Sequence, residues 1–166
     1  GQVVTGGSVS LQSDSPISLQ AITTGAVAGL GFSQTGAGAV TLRDSLTTSG
    51  GSISFDSNIT LSTAIAGALV SIATTGSTST GAVVSLQGIT GSSNDLRLDS
   101  GKGAVSVAGS VAGIDELQLQ SAAIISTGTI SFQSTVSANT LTTYAQPYAI
   151  SFLGDTTVQQ ATKLTN

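Results

Sequence analysis

The sequence predicts an all-β chain wound into a β-solenoid of about seven coils, stacked at the ~4.8 Å spacing of neighbouring strands. Three observations carry this expectation. One motif recurs along the 166 residues: small residues, a β-branched residue, Ser or Thr, then a large apolar residue. The predicted strands are only three to five residues long, and their spacing varies, as stacked coils allow when loops of different length leave one corner. Aromatic residues make up 4% of the chain and Trp is absent, so Val, Ile, Leu and small residues must fill the interior. A β-sandwich is the rival arrangement of many short strands.

The elements follow in chain order. The strong copies are Gly7-Ser8-Val9-Ser10-Leu11, Gly38-Ala39-Val40-Thr41-Leu42, Gly51-Ser52-Ile53-Ser54-Phe55, Gly103-Ala104-Val105-Ser106-Val107 and Gly128-Thr129-Ile130-Ser131-Phe132. Tyr148-Ala149-Ile150-Ser151-Phe152 lacks only the glycine. Aligned on the β-branched position, Val9, Val40, Ile53, Val84, Val105, Ile130 and Ile150 form one series. Weaker copies lie between them: Ile17-Ser18-Leu19, Ile59-Thr60-Leu61, Val70-Ser71-Ile72, Leu96-Arg97-Leu98 and Leu117-Gln118-Leu119. Alternate side chains of a strand point to opposite faces, so each copy buries its two apolar residues and exposes the middle one. Val40, Leu42, Ile53, Phe55, Val105, Val107, Ile130, Phe132, Ile150 and Phe152 are therefore expected inside. Breaks fall at Thr24-Gly25, Thr35-Gly36-Ala37-Gly38, Ser49-Gly50-Gly51, Thr75-Gly76-Ser77, Ser100-Gly101 and Thr127-Gly128. Glycine supplies the positive φ of tight corners. No segment has a 3.6-residue apolar period, so helix is not expected.

Composition closes several function classes. Charged residues are 7% of the chain, against about 25% in ordinary globular domains. With no Cys there is no disulfide, thiolate nucleophile or Cys-based zinc site, and with no His the commonest general base and transition-metal ligand are missing. Four basic residues, Arg43, Arg97, Lys102 and Lys163, and a net charge of −4 argue against a nucleic-acid partner. No apolar run approaches the ~18–20 residues of a membrane span, so membrane insertion is not expected. The chain opens at Gly1 inside a repeat, without a charged leader. This reads as one solenoid segment over 1–166 with flanking repeats in a longer parent. Neither Gly1 to Thr5 nor Thr156 to Asn166, where Val158, Ala161 and Leu164 are the apolar residues, has the composition of a cap. Weak end-to-end association or fraying of the terminal coils is the expectation.

The segments Gly51 to Phe55, Gly38 to Leu42 and Gly128 to Phe132 resemble the repeat region of large secreted bacterial adhesins of the filamentous haemagglutinin type and related autotransporter-like exoproteins. So does the stretch from Leu141 through Pro147 to Phe152, followed by Asp155-Thr156-Thr157-Val158. The resemblance implies a right-handed parallel β-helix exported to the bacterial cell surface. Asn-Pro motifs that mark the secretion domain of two-partner exoproteins are absent, so the segment is similar to stalk rather than export signal. The expected function is a non-enzymatic structural or adhesive stalk for cell attachment or cell–cell contact, with surface glycans or another cell as partner. The alternative is a carbohydrate-binding or polysaccharide-degrading β-helix protein.

Few residues offer chemistry. Asp95, Arg97 and Asp99 alternate with Leu96 and Leu98, project from one strand face and have Lys102 nearby. They form either a small carboxylate site for sugar or calcium, or a solvated salt-bridge row. Asp115-Glu116 is an adjacent pair whose members point to opposite faces of a strand, which argues against shared ligation unless the pair sits at a corner. The Gly-Gly-x-Gly-x-Asp calcium repeat is absent, and Gly36-Ala37-Gly38 lacks the Lys and helix of a phosphate loop. No metal or cofactor is expected. Paired threonines at 23–24, 47–48, 74–75, 142–143 and 156–157 are adjacent, which splits each pair between faces and suits corner-turning better than an ice-binding face. Tyr144 and Tyr148 flank Pro147, either as an exposed platform for stacking sugars or as the closure of the last coil.

Overall fold

A computed structural model describes residues 3–25, 27–76, 80–121, 125–160 and 162–165. Gly1, Ser77, Ala161 and Asn166 lie outside the described residues. The alternation of apolar and hydroxyl residues produces strands and turns; no helix forms among the described residues.

Each rung is one circuit of the chain. After β1 (Val3–Thr5), the first rung contains β2 (Val9–Gln12), β3 (Ile17–Leu19) and β4 (Ile22–Thr24). The second contains β5 (Phe32–Thr35), β6 (Val40–Leu42) and β7 (Leu46–Thr47). The third contains β8 (Ile53–Phe55), β9 (Ile59–Leu61) and β10 (Leu69–Ala73). The fourth is β11 (Val84–Leu86) and β12 (Ile89–Asp99), the fifth β13 (Val105–Val107) and β14 (Val111–Leu119). The sixth is β15 (Thr129–Phe132) and β16 (Val136–Thr142), the seventh β17 (Ala149–Phe152) and β18 (Thr156–Val158).

Every strand pairs in parallel with the strand one rung away, which excludes the sandwich. The first face is a seven-stranded sheet in the order β17-β15-β13-β11-β8-β5-β2. Seven rungs thus enclose about six full turns, and the winding agrees with the right-handed sense that parallel β-crossovers adopt. The second and third faces merge into an eleven-stranded sheet. They join because β12, β14 and β16 run around the corner as single long strands, with register shifts at the bend. In the lower rungs, β3, β6 and β9 form the second face and β4, β7 and β10 the third. The expectation of uniformly short strands fails here. Ser92 and Ser93 take positive φ of 51° and 61° at the bend. Asn94, 3% exposed, holds it by donating through Nδ2 to the Gly91 carbonyl at 2.9 Å.

The interior consists of stacked columns. Val9, Phe32, Ile53, Val84, Val105, Ile130 and Ile150 align on the first face. Val40 therefore does not belong to the series in which the motif placed it. Its strand, β6, stacks between β3 and β9 on the second face, and Phe32 takes the expected place. The motif identifies a half-buried strand but not its face, because both faces use the same alternation. Of the expected interior residues, all from Val40 to Phe132 are buried. Ile150 and Phe152 are only half-buried, since no rung among the described residues lies beyond theirs.

Phe55 packs against Phe32 with ring centroids 5.0 Å apart, and Phe132 stacks on Phe152 at 5.2 Å. Between Leu11 and Phe55 the column holds Gln34, fully buried. Its Nε2 donates to the Thr35 and Gly36 carbonyls at 3.0 and 3.2 Å, but Oε1 has no partner. An apolar position has accepted an amide at a cost.

One corner is built from buried hydroxyls. Thr24, Thr48, Thr74 and Ser100, at most 1% exposed, occupy successive rungs. Their Oγ atoms donate to the carbonyls of Leu30 (2.9 Å), Gly51, Ala82 (3.1 Å) and Gly103 (2.7 Å), where the chain enters the first face. Two of the threonine pairs split at this corner, Thr23 and Thr47 staying half-buried outside while Thr24 and Thr48 point in; Thr74 and Thr75 instead are both buried, and Thr156 and Thr157 are both exposed in β18. Glycine serves the same corner. At Gly101, φ is +58°, and a side chain on Gly128 would strike the Gly103 carbonyl of the rung below.

Candidate binding groove

The first face carries an unbroken outward column of serines. Ser10, Ser33, Ser54, Ser85, Ser106, Ser131 and Ser151 align rung on rung. On the second face Ser18, Thr41, Thr60 and Thr90 do the same. None of these small hydroxyl residues carries charge; Ser18 accepts from Arg43 Nε at 2.8 Å and Ser106 from Gln133 Nε2 at 3.1 Å.

Charge gathers on the third face. The Leu46, Ile72 and Leu98 column points inward, which turns the residues beside it outward. Ser71 is in register with Arg97, and Thr47, Ala73 and Asp99 are in register with one another. Ser45 lies below Ser71 and accepts its backbone N–H at 3.0 Å. These residues, with Thr75 and Gly76 at the corner, line a groove of ≈ 350 Å³. That volume lies within the range of small-molecule sites, about 300–1,000 Å³.

Arg97 donates through Nε to Ser71 Oγ at 3.2 Å, and its terminal nitrogens have no protein partner among the described residues. Asp99 is 3% exposed and lines the groove. Its Oδ1 accepts from Gly101 N–H at 3.3 Å, and its Oδ2 has no protein partner among the described residues. The groove therefore joins a nearly buried carboxylate with unused acceptor capacity to a guanidinium with unused donors.

The five sequence candidates separate. Arg97 and Asp99 share the groove. Asp95 turns to the next rung, where its Oδ1 accepts the Glu116 N–H at 3.0 Å. Burial raises its carboxyl above the ordinary value; the Glu116 N–H bond opposes this, and the Glu116 and Asp115 charges add to it. Alternation with the inward Leu96 and Leu98 keeps Asp95, Arg97 and Asp99 on one strand face, but they do not form one cluster, because Asp95 bonds to the next rung and Asp99 is nearly buried. No salt-bridge row replaces it, since neither Asp95 nor Asp99 pairs with Arg97. Lys102 is exposed and does not line the groove. Asp115 Oδ1 accepts from Asn139 at 2.8 Å, and Glu116 accepts from Thr142 and Gln118, so the two acids are engaged by the next rung and by their own strand.

Tyr148 is 3% exposed. Its hydroxyl donates to the Leu119 carbonyl and accepts the Tyr144 N–H, each at 3.0 Å. It closes its coil rather than offering a face to sugars. Tyr144 remains half-buried. Among the described residues no three His, Cys, Asp or Glu side chains converge as a metal site, and no helix is long and apolar enough to cross a membrane.

Sequence reasoning missed Ser45, Thr47, Ser71 and Thr75 as partners of the charged pair. The available signal was the 26-residue separation linking Ser45 to Ser71 and Ser71 to Arg97.

The parallel ladders, apolar columns and hydroxyl corner define the chain as a β-solenoid. In comparisons with known proteins, the chain matches no family model, no curated protein and no solved structure.

Proposed function

We propose that the chain is a non-enzymatic stalk segment of a large, bacterial, secreted or cell-surface protein, holding binding regions away from the cell for attachment. The observation that supports this reading most is the continuity of the stack. Most of the large apolar side chains go into rung-to-rung columns that run the length of the described residues, while others, among them Ile65, Ile125 and Leu153, stay exposed. Such an assembly is quasi-one-dimensional, and each rung stabilises its neighbours. Its outward faces are mostly Ser and Thr, which require little desolvation of ions on close surface contact. The resemblance of the Gly-Ser-Ile-Ser-Phe repeats to adhesin stalks supports the surface setting.

Localisation and blocking test the reading together. Antibody to this chain should label intact source cells, and surface proteolysis should remove the signal. Soluble chain or its antibody should reduce attachment of those cells. Retention of the protein in the cytosolic fraction would overturn the proposal.

A further inference from the structure

We propose that the groove between Arg97 and Asp99 binds a neutral saccharide through a pair of vicinal ring hydroxyls. The proposal concerns the groove's chemistry and is independent of where the rod stands, so it can fail while the stalk reading survives. A sugar hydroxyl both donates and accepts. Asp99 supplies acceptors only, and Arg97 supplies donors only. One ring hydroxyl can therefore donate to Asp99 Oδ2 while its neighbour accepts from the Arg97 guanidinium, and Thr47, Ser71 and Thr75 supply further hydroxyls around the ring. Ala73 and Gly76 keep the groove open. A polar group as buried as Asp99 is ordinarily saturated with hydrogen bonds; its long bond to Gly101 leaves acceptor capacity on a side chain that lines the groove.

The ligand is neutral for an electrostatic reason. Arg97 and Asp99 cancel formally, while Asp95 adds negative charge on the same strand and Glu116 on the next rung. A uronic acid would meet that excess. Two other grooves have similar volumes, ≈ 320 and ≈ 360 Å³, but neither includes a buried charged side chain: the first is lined by serines, glycines, Val9 and Phe32, and in the second Asp56 is exposed.

The test is amide-shift titration of the ¹⁵N-labelled chain with the methyl glycosides of glucose, galactose and mannose, and separately with sodium glucuronate. At least one neutral glycoside should give saturable shifts centred on the amides of Ser71, Ala73, Gly76, Asp99 and Gly101. Asp99→Asn should weaken that binding by about tenfold or more, the loss expected for a hydrogen bond to a charged group. Arg97→Gln, at a half-buried position, should weaken it as well, with unshifted amides around Val105 showing that the fold is intact. The proposal is overturned if no neutral glycoside gives a saturable shift, if glucuronate binds more tightly than all three, or if both variants bind as the parent does.

Discussion

Thr74 and Ala82 hold each other in both directions: Thr74 Oγ1 donates to the Ala82 carbonyl at 3.1 Å and accepts the Ala82 N–H at 2.8 Å. The pair spans the longest excursion from the first face, since Ile53 and Val84 are adjacent in the sheet but 31 residues apart. Thr74 is fully buried. Thr74→Val keeps the shape but removes the partner of the half-buried Ala82 N–H and C=O, and should cost about 1 kcal/mol or more in urea denaturation. Thr74→Ser should recover most of the loss. Equal stability of the Val variant and the parent would show that the corner hydroxyls do not hold the rungs.

Gln34 gives the opposite sign. Its Oε1 is buried without a partner. The carbonyls it serves have other donors, Ser13 N–H for Thr35 and Ser57 Oγ for Gly36. Gln34→Leu should therefore be neutral or stabilise by about 1 kcal/mol, read as a higher denaturation midpoint. Strong destabilisation would mean that the amide carries part of the corner.

Gly128 tests rung spacing. A Cβ there meets the Gly103 backbone of the rung below, which cannot swing away as a side chain can. Gly128→Ala should destabilise by about 1–3 kcal/mol, as overpacking does. Gly29→Ala serves as a control for crowding, since nothing lies within 4 Å of its Cβ position, although its φ of +88° adds strain of its own. A harmless Gly128→Ala would place the rungs farther apart than the ladder requires.

Asp95 sets a pH dependence. Its folded carboxyl is raised, chiefly by burial. The folded chain thus holds the proton more tightly than the unfolded chain. The associated stability is full below the ordinary carboxylate range and is lost as pH rises through the raised folded value. Asp95→Asn removes the buried charge and retains an acceptor for the Glu116 N–H. The variant should gain in melting temperature over the parent at neutral pH, and the gain should shrink in acid. A gain that grows on acidification would reverse the assignment.

Alternation made the strands legible before their assembly. Ile53-Ser54-Phe55 and Val105-Ser106-Val107 are buried as read, because period two fixes which side chains face inward. Phe32-Ser33-Gln34 escaped because its third residue is an amide, not an aliphatic or aromatic side chain. The long β12 and β14 escaped because only Leu96-Arg97-Leu98 and Leu117-Gln118-Leu119 alternate as the motif does, whereas the chain stays paired through a bulge before them. The binding groove was half visible. Arg97 and Asp99 lie two residues apart in one strand, but their polar neighbours come from the rungs before it, Ser71 from 26 residues back and Ser45 and Thr47 from 52, and only register brings them together. Burial of Asp99 goes with its place at the end of β12, in register with the buried Ala73 and next to the buried Ser100, which strand alternation does not encode.

The serine column supplies the direct test of the stack. Ser10, Ser85 and Ser151 are exposed, and the chain has no Cys, so single and paired Cys variants take spin labels without background. Three rung steps separate Ser10 from Ser85 and three separate Ser85 from Ser151. At ~4.8 Å per step, dipolar EPR should give about 14 Å for each inner pair and about 29 Å for Ser10–Ser151, before the label arms are added. A Ser10–Ser151 distance no longer than the Ser10–Ser85 distance would contradict the solenoid.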